Sequence, residues 1–197
     1  MNRLNTLAAA TVSLAALFAA ANAVAAPAAP WTPVVMADPM VGGAAMSPMA
    51  DIVTNASKSA DHTTLVAAVK AAGLVETLQG PGPFTVFAPT NEAFGLLPAG
   101  TVESLVQPAQ KPTLTKILTY HVVPGRLLAA DIVALARANG GVATLTTVEG
   151  GKLTLRAASG GRWEITDENG GKATITIADV RQSNGVVHVI DGVLLPN

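Results

Sequence analysis

The chain has 197 residues with 12 basic and 13 acidic side chains, a net charge of −1, no cysteine and 4% aromatic residues. The missing cysteines exclude disulfides, thiol chemistry and a lipid-modified N-terminal cysteine. Scattered cations in a slightly acidic chain lack the positive stripe that phosphate backbones require, which excludes nucleic acid as a partner, and the 50% of hydrophobic residues point to a core of Val, Leu, Ile and Ala.

The first stretch differs from the rest. After Arg3 the run Leu7 to Ala20 is apolar or small, and Ala21-Asn22-Ala23 and Ala23-Val24-Ala25 offer the small-x-small pattern of a cleavage site. Residues 1–25 are therefore read as a signal peptide. A membrane anchor is the alternative, but a span needs about 20 strongly apolar residues, and this run is mostly alanine with Thr11 and Ser13 inside it. Loss of Arg3 leaves a net charge of −2. The remainder, about 170 residues, suffices for one domain.

Residues 26–46 are rich in Pro, Ala, Gly and Met without a sustained period, the composition of a flexible linker. Four of the five methionines, Met36, Met40, Met46 and Met49, lie in or just after it. Thioethers suit Cu(I), but the irregular spacing favours an arm that is disordered or docked on the domain. The domain itself is expected over 47–197.

Asp51 and Asp61 stand where helix N-caps belong. After Asp61, Leu65, Val69 and Ala72 form a helical stripe that stops at Gly73. Phe84 to Ala88 reads as a buried strand stopped by Pro89, with Thr90 capping a short helix entered through Asn91 and Glu92, Phe94 turned inward. A further helix starts near Pro112, with Leu114, Ile117, Leu118 and His121 on one face and Pro124-Gly125 as its end. Another runs from Ala129 to Ala138, with Leu128, Ile132 and Leu135 on one side and Asn139-Gly140 as its stop.

Beyond residue 141 the period becomes 2. Leu145 and Thr147, Leu153 and Leu155, Trp163 and Ile165, and Ala173, Ile175 and Ile177 alternate with mostly polar neighbours, between turns at Gly150-Gly151, Gly160-Gly161 and Asn169-Gly170-Gly171. Val186 to Ile190 is apolar on both faces apart from His188, as a central strand is. Helices first and hairpins last predict an α+β domain, several helices packed on an antiparallel sheet or sandwich, with the early strand at Phe84 joining a sheet completed at the far end of the chain.

Three segments carry a resemblance. FTVFAPTNEAF (84–94) and NGVVHVIDGVLLP (184–196) resemble the two signatures of the fasciclin I domain family, and TYHVVPG (119–125) is similar to its Tyr-His element. The match covers residues 46–196. It implies the fasciclin-like fold and a secreted or periplasmic adhesion module that binds a protein or an extracellular polymer. In animal relatives the Tyr-His element is associated with integrin binding, which makes Tyr120 and His121 the candidate partner-binding residues. Some fasciclin-like proteins bind pigments, so a carrier of an apolar ligand, a lipid or carotenoid, is the alternative.

The chemistry of the remaining residues predicts no catalytic, metal or cofactor site. His121 and His188 fall on inward faces, where an imidazole takes a hydrogen-bond partner, and His62 is expected at the surface. No zinc spacing, no nucleophile elbow and no phosphate loop is present. Asp167-Glu168 reads as a solvated hairpin tip rather than a pair facing across a cleft.

Overall fold

The computed structural model describes residues 38–197. The chain enters as a small hairpin, β1 (Met40–Val41) paired with β2 (Ala44–Ala45). Asp51 then caps α1 (Ile52–Ala56), its carboxylate accepting the Thr54 N–H at 2.9 Å. In α2 (Thr63–Ala72) Leu65, Ala68, Val69 and Ala72 are buried, and Gly73 ends the helix at φ 73°, a left-handed conformation that glycine adopts at no steric cost. Asp61, expected to cap this helix, lies exposed in a 3-10 turn, Ala60–His62, without capping. The cap comes from far along the chain instead: Asn91 Oδ1 accepts the Thr64 N–H at 3.0 Å.

After α3 (Val75–Gln79) comes β3 (Phe84–Pro89), and Thr90 caps α4 (Asn91–Gly95) by accepting the Ala93 N–H at 3.3 Å, the predicted corner. α5 (Thr101–Leu105) and α6 (Lys111–Tyr120) follow. α6 stops before the expected Pro124-Gly125, because the β-branched pair in β4 (Val122–Pro124) is drawn into the sheet beside β3. α7 (Ala129–Ala138) has the expected bounds, but buries Ile132 and Ala136 and leaves Leu135 exposed. The strands β5 (Val142–Thr146), β6 (Lys152–Ala157), β7 (Trp163–Thr166), β8 (Lys172–Gln182) and β9 (Gly185–Ile190) complete the chain.

Seven strands form one sheet in the order β4-β3-β9-β8-β7-β6-β5. It is mixed, which corrects the expected antiparallel arrangement. β3 and β9 run parallel, Phe84 opposite Gly185 through Pro89 opposite Ile190, while every other pair is antiparallel. A parallel pair requires a crossover rather than a hairpin, and here everything from α4 to β8 forms that connection. Gly185 is needed at its start, since a Cβ there would strike the Phe84 carbonyl. As its two apolar faces predict, β9 lies within the sheet, between β3 and β8.

Two apolar clusters cover the sheet. In one, Ile132 of α7 packs with Phe87, Tyr120, Leu153, Leu155, Ile165, Ile190 and Leu194; in the other, α1, α2 and α6 pack on Val86, Ala88 and Val122. A third, smaller cluster joins Val41 and Met46 to Val180 and Val189. The linker expected over 26–46 is thus a packed element in its described part, because Val41 and Met46 gain more by burial against the sheet than a free arm would offer. Among the described residues no helix is long and apolar enough to cross a membrane. The expected signal peptide, residues 1–25, lies outside the described residues.

Candidate functional site

A buried polar group must be matched by a partner, and the Tyr-His element follows this rule closely. Tyr120 is the last residue of α6 and is wholly buried. Its hydroxyl donates to the Lys152 carbonyl at 2.8 Å and accepts the Glu168 N–H at 3.2 Å, so it bridges the β5–β6 and β7–β8 hairpins. Burial pushes the phenol above its ordinary pKa and keeps it a neutral donor. Gly151 leaves the ring its place: a Cβ there would come within 2.5 Å of Tyr120 Cε2.

His121 is buried as expected, one position beyond the helix. Nδ1–H donates to the Ile117 carbonyl at 2.8 Å, and Nε2 accepts the Leu194 N–H at 3.1 Å. Burial pushes its pKa down to about 4, against the raising effects of the Ile117 bond and Asp167. His188 follows the same pattern in β9: Nε2–H donates to the Leu127 carbonyl at 2.9 Å, Nδ1 accepts the Asp179 N–H at 3.3 Å, and its ring stacks on Phe87. Burial lowers its pKa as well.

Asp167 and Glu168 are not the solvated pair that their turn suggests. Asp167 is buried and accepts three backbone N–H groups, from Asn169 at 3.0 Å, Gly171 at 2.7 Å and Leu195 at 2.9 Å. Glu168 is exposed, and its carboxylate accepts the Lys152 N–H at 2.9 Å. Asp167 therefore ties the C-terminal tail to the β7–β8 turn, a role that a turn composition does not reveal.

These bonds bring two hairpin tips and the tail to one rim. Lys116 reaches the Asn197 carbonyl at 2.6 Å and Glu149 at 3.8 Å, and the Asn169 amide donates to the Leu195 carbonyl at 2.9 Å. Val148 and Leu195 stand out on this rim, 48% and 38% exposed. Tyr120 and His121 hold the rim from beneath and present no side-chain surface of their own.

His62, expected at the surface, is buried: the 3-10 turn directs its ring under the β1–β2 hairpin. Sequence reading also missed the buried amides. Asn184 accepts the Ile52 N–H at 3.1 Å and donates to the carbonyls of Leu78 at 2.7 Å and Gly80 at 3.1 Å. Among the described residues no three His, Cys, Asp or Glu side chains converge as metal ligands. Met36 lies outside the described residues; of the described methionines that were weighed as soft ligands, Met46 is buried while Met40 and Met49 are 60% and 87% exposed.

A model of the fasciclin domain matches residues 60–196. Protein sll1483 of Synechocystis sp. is 48% identical over 157 residues, 80% of this chain and 79% of that protein. Cell surface glycolipoprotein MPB83 of Mycobacterium bovis is 34% identical over 196 residues, 86% of this chain and 80% of its own length. Among solved structures, a FAS1 domain pair from the insect cell adhesion molecule fasciclin I superposes with a TM-score of 0.65 at 22% identity, over 74% of this chain. The chain spans 51% of that domain pair.

Proposed function

Because the chain belongs to the fasciclin domain family, we propose that it is a non-enzymatic adhesion or interaction module working outside the cytoplasm, and that it holds a protein or surface polymer on the rim above Tyr120 and His121. One observation carries this reading. The imidazole of His121, the phenol of Tyr120 and the carboxylate of Asp167 are all spent on backbone groups, so what they offer a partner is the shape of the surface they support. That surface carries the apolar side chains of Val148 and Leu195 among the charged ends of Lys116, Glu149 and Glu168, the mixture of apolar centre and polar edge that binding patches share. The signal-like N-terminus and the cell-surface relative support a place of action outside the cytoplasm. Tyr120 and His121 act here as positioning residues.

The test is a double variant, Val148→Lys with Leu195→Lys, compared with wild type for retention on surface polymers and extracellular proteins of the native host. At least a tenfold weaker retention with an unchanged melting temperature is the expected result. Retention equal to wild type overturns the assignment of the rim. The carrier reading asks for more room than the two apolar cavities give, about 40 Å³ each, and the wider clefts of about 320 Å³ beside Trp163 and about 460 Å³ beside Leu96 are lined in part by Arg162 and Thr176 and by Glu92, Lys172 and Asp191.

A further inference from the structure

A β ladder that stops short leaves two strands facing each other across a gap. The pairing of β7 with β8 ends at Glu164 opposite Thr174. The same register, continued, would set Trp163 opposite Ile175 and Arg162 opposite Thr176. Instead Trp163 pairs with Ala157 of β6, while β8 runs on beside β9 through two register shifts, between Ile175 and Ile177 and between Ile177 and Val180. Such bulges bend a strand and re-aim its side chains. Asp179, at φ 60° the one non-glycine residue in the left-handed region among the described residues, follows the bend. Its carboxylate accepts the Ala129 N–H at 2.7 Å, which ties β8 to the first turn of α7.

The gap is a cleft of about 320 Å³ whose wall holds the four residues that the ladder leaves unpaired, with Ile132 of α7 beside them. It opens at the β6–β7 turn, the far end of these strands from the rim. Gly160 and Gly161 carry that turn at φ 74° and 73°, and a Cβ on Gly161 would meet nothing within 4 Å, so bare backbone forms this part of the wall. The lining has two characters. Ile132 and Ile175 are buried and Trp163 is half-buried, which gives apolar surface. Arg162 is exposed, and the ion pairs among the described residues are Lys116 with Glu149 and Lys172 with Glu164, so its guanidinium is unpaired. The Thr176 hydroxyl donates to the Val189 carbonyl at 3.2 Å and keeps its oxygen as an acceptor.

These characters select an occupant. A wholly apolar ligand would leave the guanidinium unmatched. A phosphate would find the first N–H of α7 already taken, a carboxylate beside it, and no use for the indole. A sugar acid uses both sides: the C–H face of its ring packs on an indole, its hydroxyls reach the threonine and the backbone, and its carboxylate takes two parallel N–H bonds from an arginine. Ligand pockets run from about 300 to 1,000 Å³, so this cleft suits one or two sugar units rather than a long segment. We propose that the cleft binds a uronic acid unit of an acidic polysaccharide, its ring against Trp163 and its carboxylate on Arg162. The site shares with the rim a place of action outside the cytoplasm but none of its residues.

The experiment is calorimetric titration of the full chain with trisaccharides of galacturonate, glucuronate and mannuronate, and with a neutral galactose trisaccharide. At least one uronate should bind saturably, and at least tenfold more tightly than the neutral sugar. Arg162→Gln, a change at an exposed position, should weaken that binding at least tenfold, as should Trp163→Leu. If Trp163→Leu fails to fold, the indole N–H resonance of Trp163 in the wild type takes its place, and it should move as the uronate is added. Val148→Lys with Leu195→Lys should leave the binding unchanged, so that cleft and rim are judged separately; loss of uronate binding in that variant would place it on the rim and overturn the cleft. Absence of saturable binding by all three uronates, equal binding of the neutral sugar, binding that survives Arg162→Gln, or an unmoved Trp163 resonance likewise overturns the proposal.

Discussion

At the scale of single residues, the two neutral histidines of the core set the acid sensitivity of the fold. His121 titrates near 6.5 when unfolded and at about 4 when folded, with burial as the main cause. The unfolded chain therefore binds the extra proton first, and stability falls as pH drops. The contribution is fully present above pH 6.5 and is lost progressively between 6.5 and 4, on the order of 3 kcal/mol over that window. The lowered values of His188 and His62 add in the same direction. Urea unfolding at steps from pH 7 to 4 should show this slope, and a flat profile would contradict it. His121→Ala should cost about 2–4 kcal/mol at pH 7, because it opens a cavity and orphans the Ile117 carbonyl and the Leu194 N–H. Tyr120→Phe keeps the ring but leaves the Lys152 carbonyl and the Glu168 N–H unmatched, a loss of about 1–3 kcal/mol. Calorimetric melting of that variant checks the value, and an unchanged melting temperature would mean that solvent replaces the hydroxyl.

At the scale of elements, most of the chain was legible because its periods are clean. The α2 stripe with its Gly73 stop, the bounds of α7 and the hairpins from β5 to β8 all follow from apolar spacing and turn residues. The misreadings share one cause, contacts from distant parts of the chain. Asn91 caps α2 in place of Asp61, Val122 is pulled from a helix end into the sheet, and Asp167 is claimed by the tail. The hairpin β1–β2 is the clearest instance. Its composition is that of a linker, yet Val41 and Met46 are buried against Val180 and Val189. A chain beginning at residue 47 should therefore lose two buried side chains and about 3–6 kcal/mol relative to one beginning at residue 38. Equal melting temperatures for the two truncated chains would show that the hairpin contributes nothing to the fold.

At the scale of the whole molecule, the candidate site was half legible. The TYHVVPG segment pointed to Tyr120 and His121, which lie beneath the proposed rim, and the inward face of His121 followed from the helix stripe. The rim it supports did not, because Val148, Glu168 and Leu195 become neighbours only through bonds that close over 16 to 81 residues. The parallel pairing of β3 with β9 was foreseen as a tie between the two ends of the chain, but its direction was not. That pairing also governs the order of events in time. Residues 84–89 have β4 on one side but cannot find their other neighbour until residues 185–190 exist, so a growing chain stays without the middle of its sheet until β9 is made. Closing so long a loop is slow, and refolding should take milliseconds to seconds rather than microseconds. A chain stopped before Gly185 should remain unfolded and prone to association, with the apolar strand Phe84 to Pro89 unpaired on one side, while the complete chain refolds from urea in a single phase on that timescale. The molecule is fastened last along β9, and until then β3 is held only by β4 and by the helices packed on it.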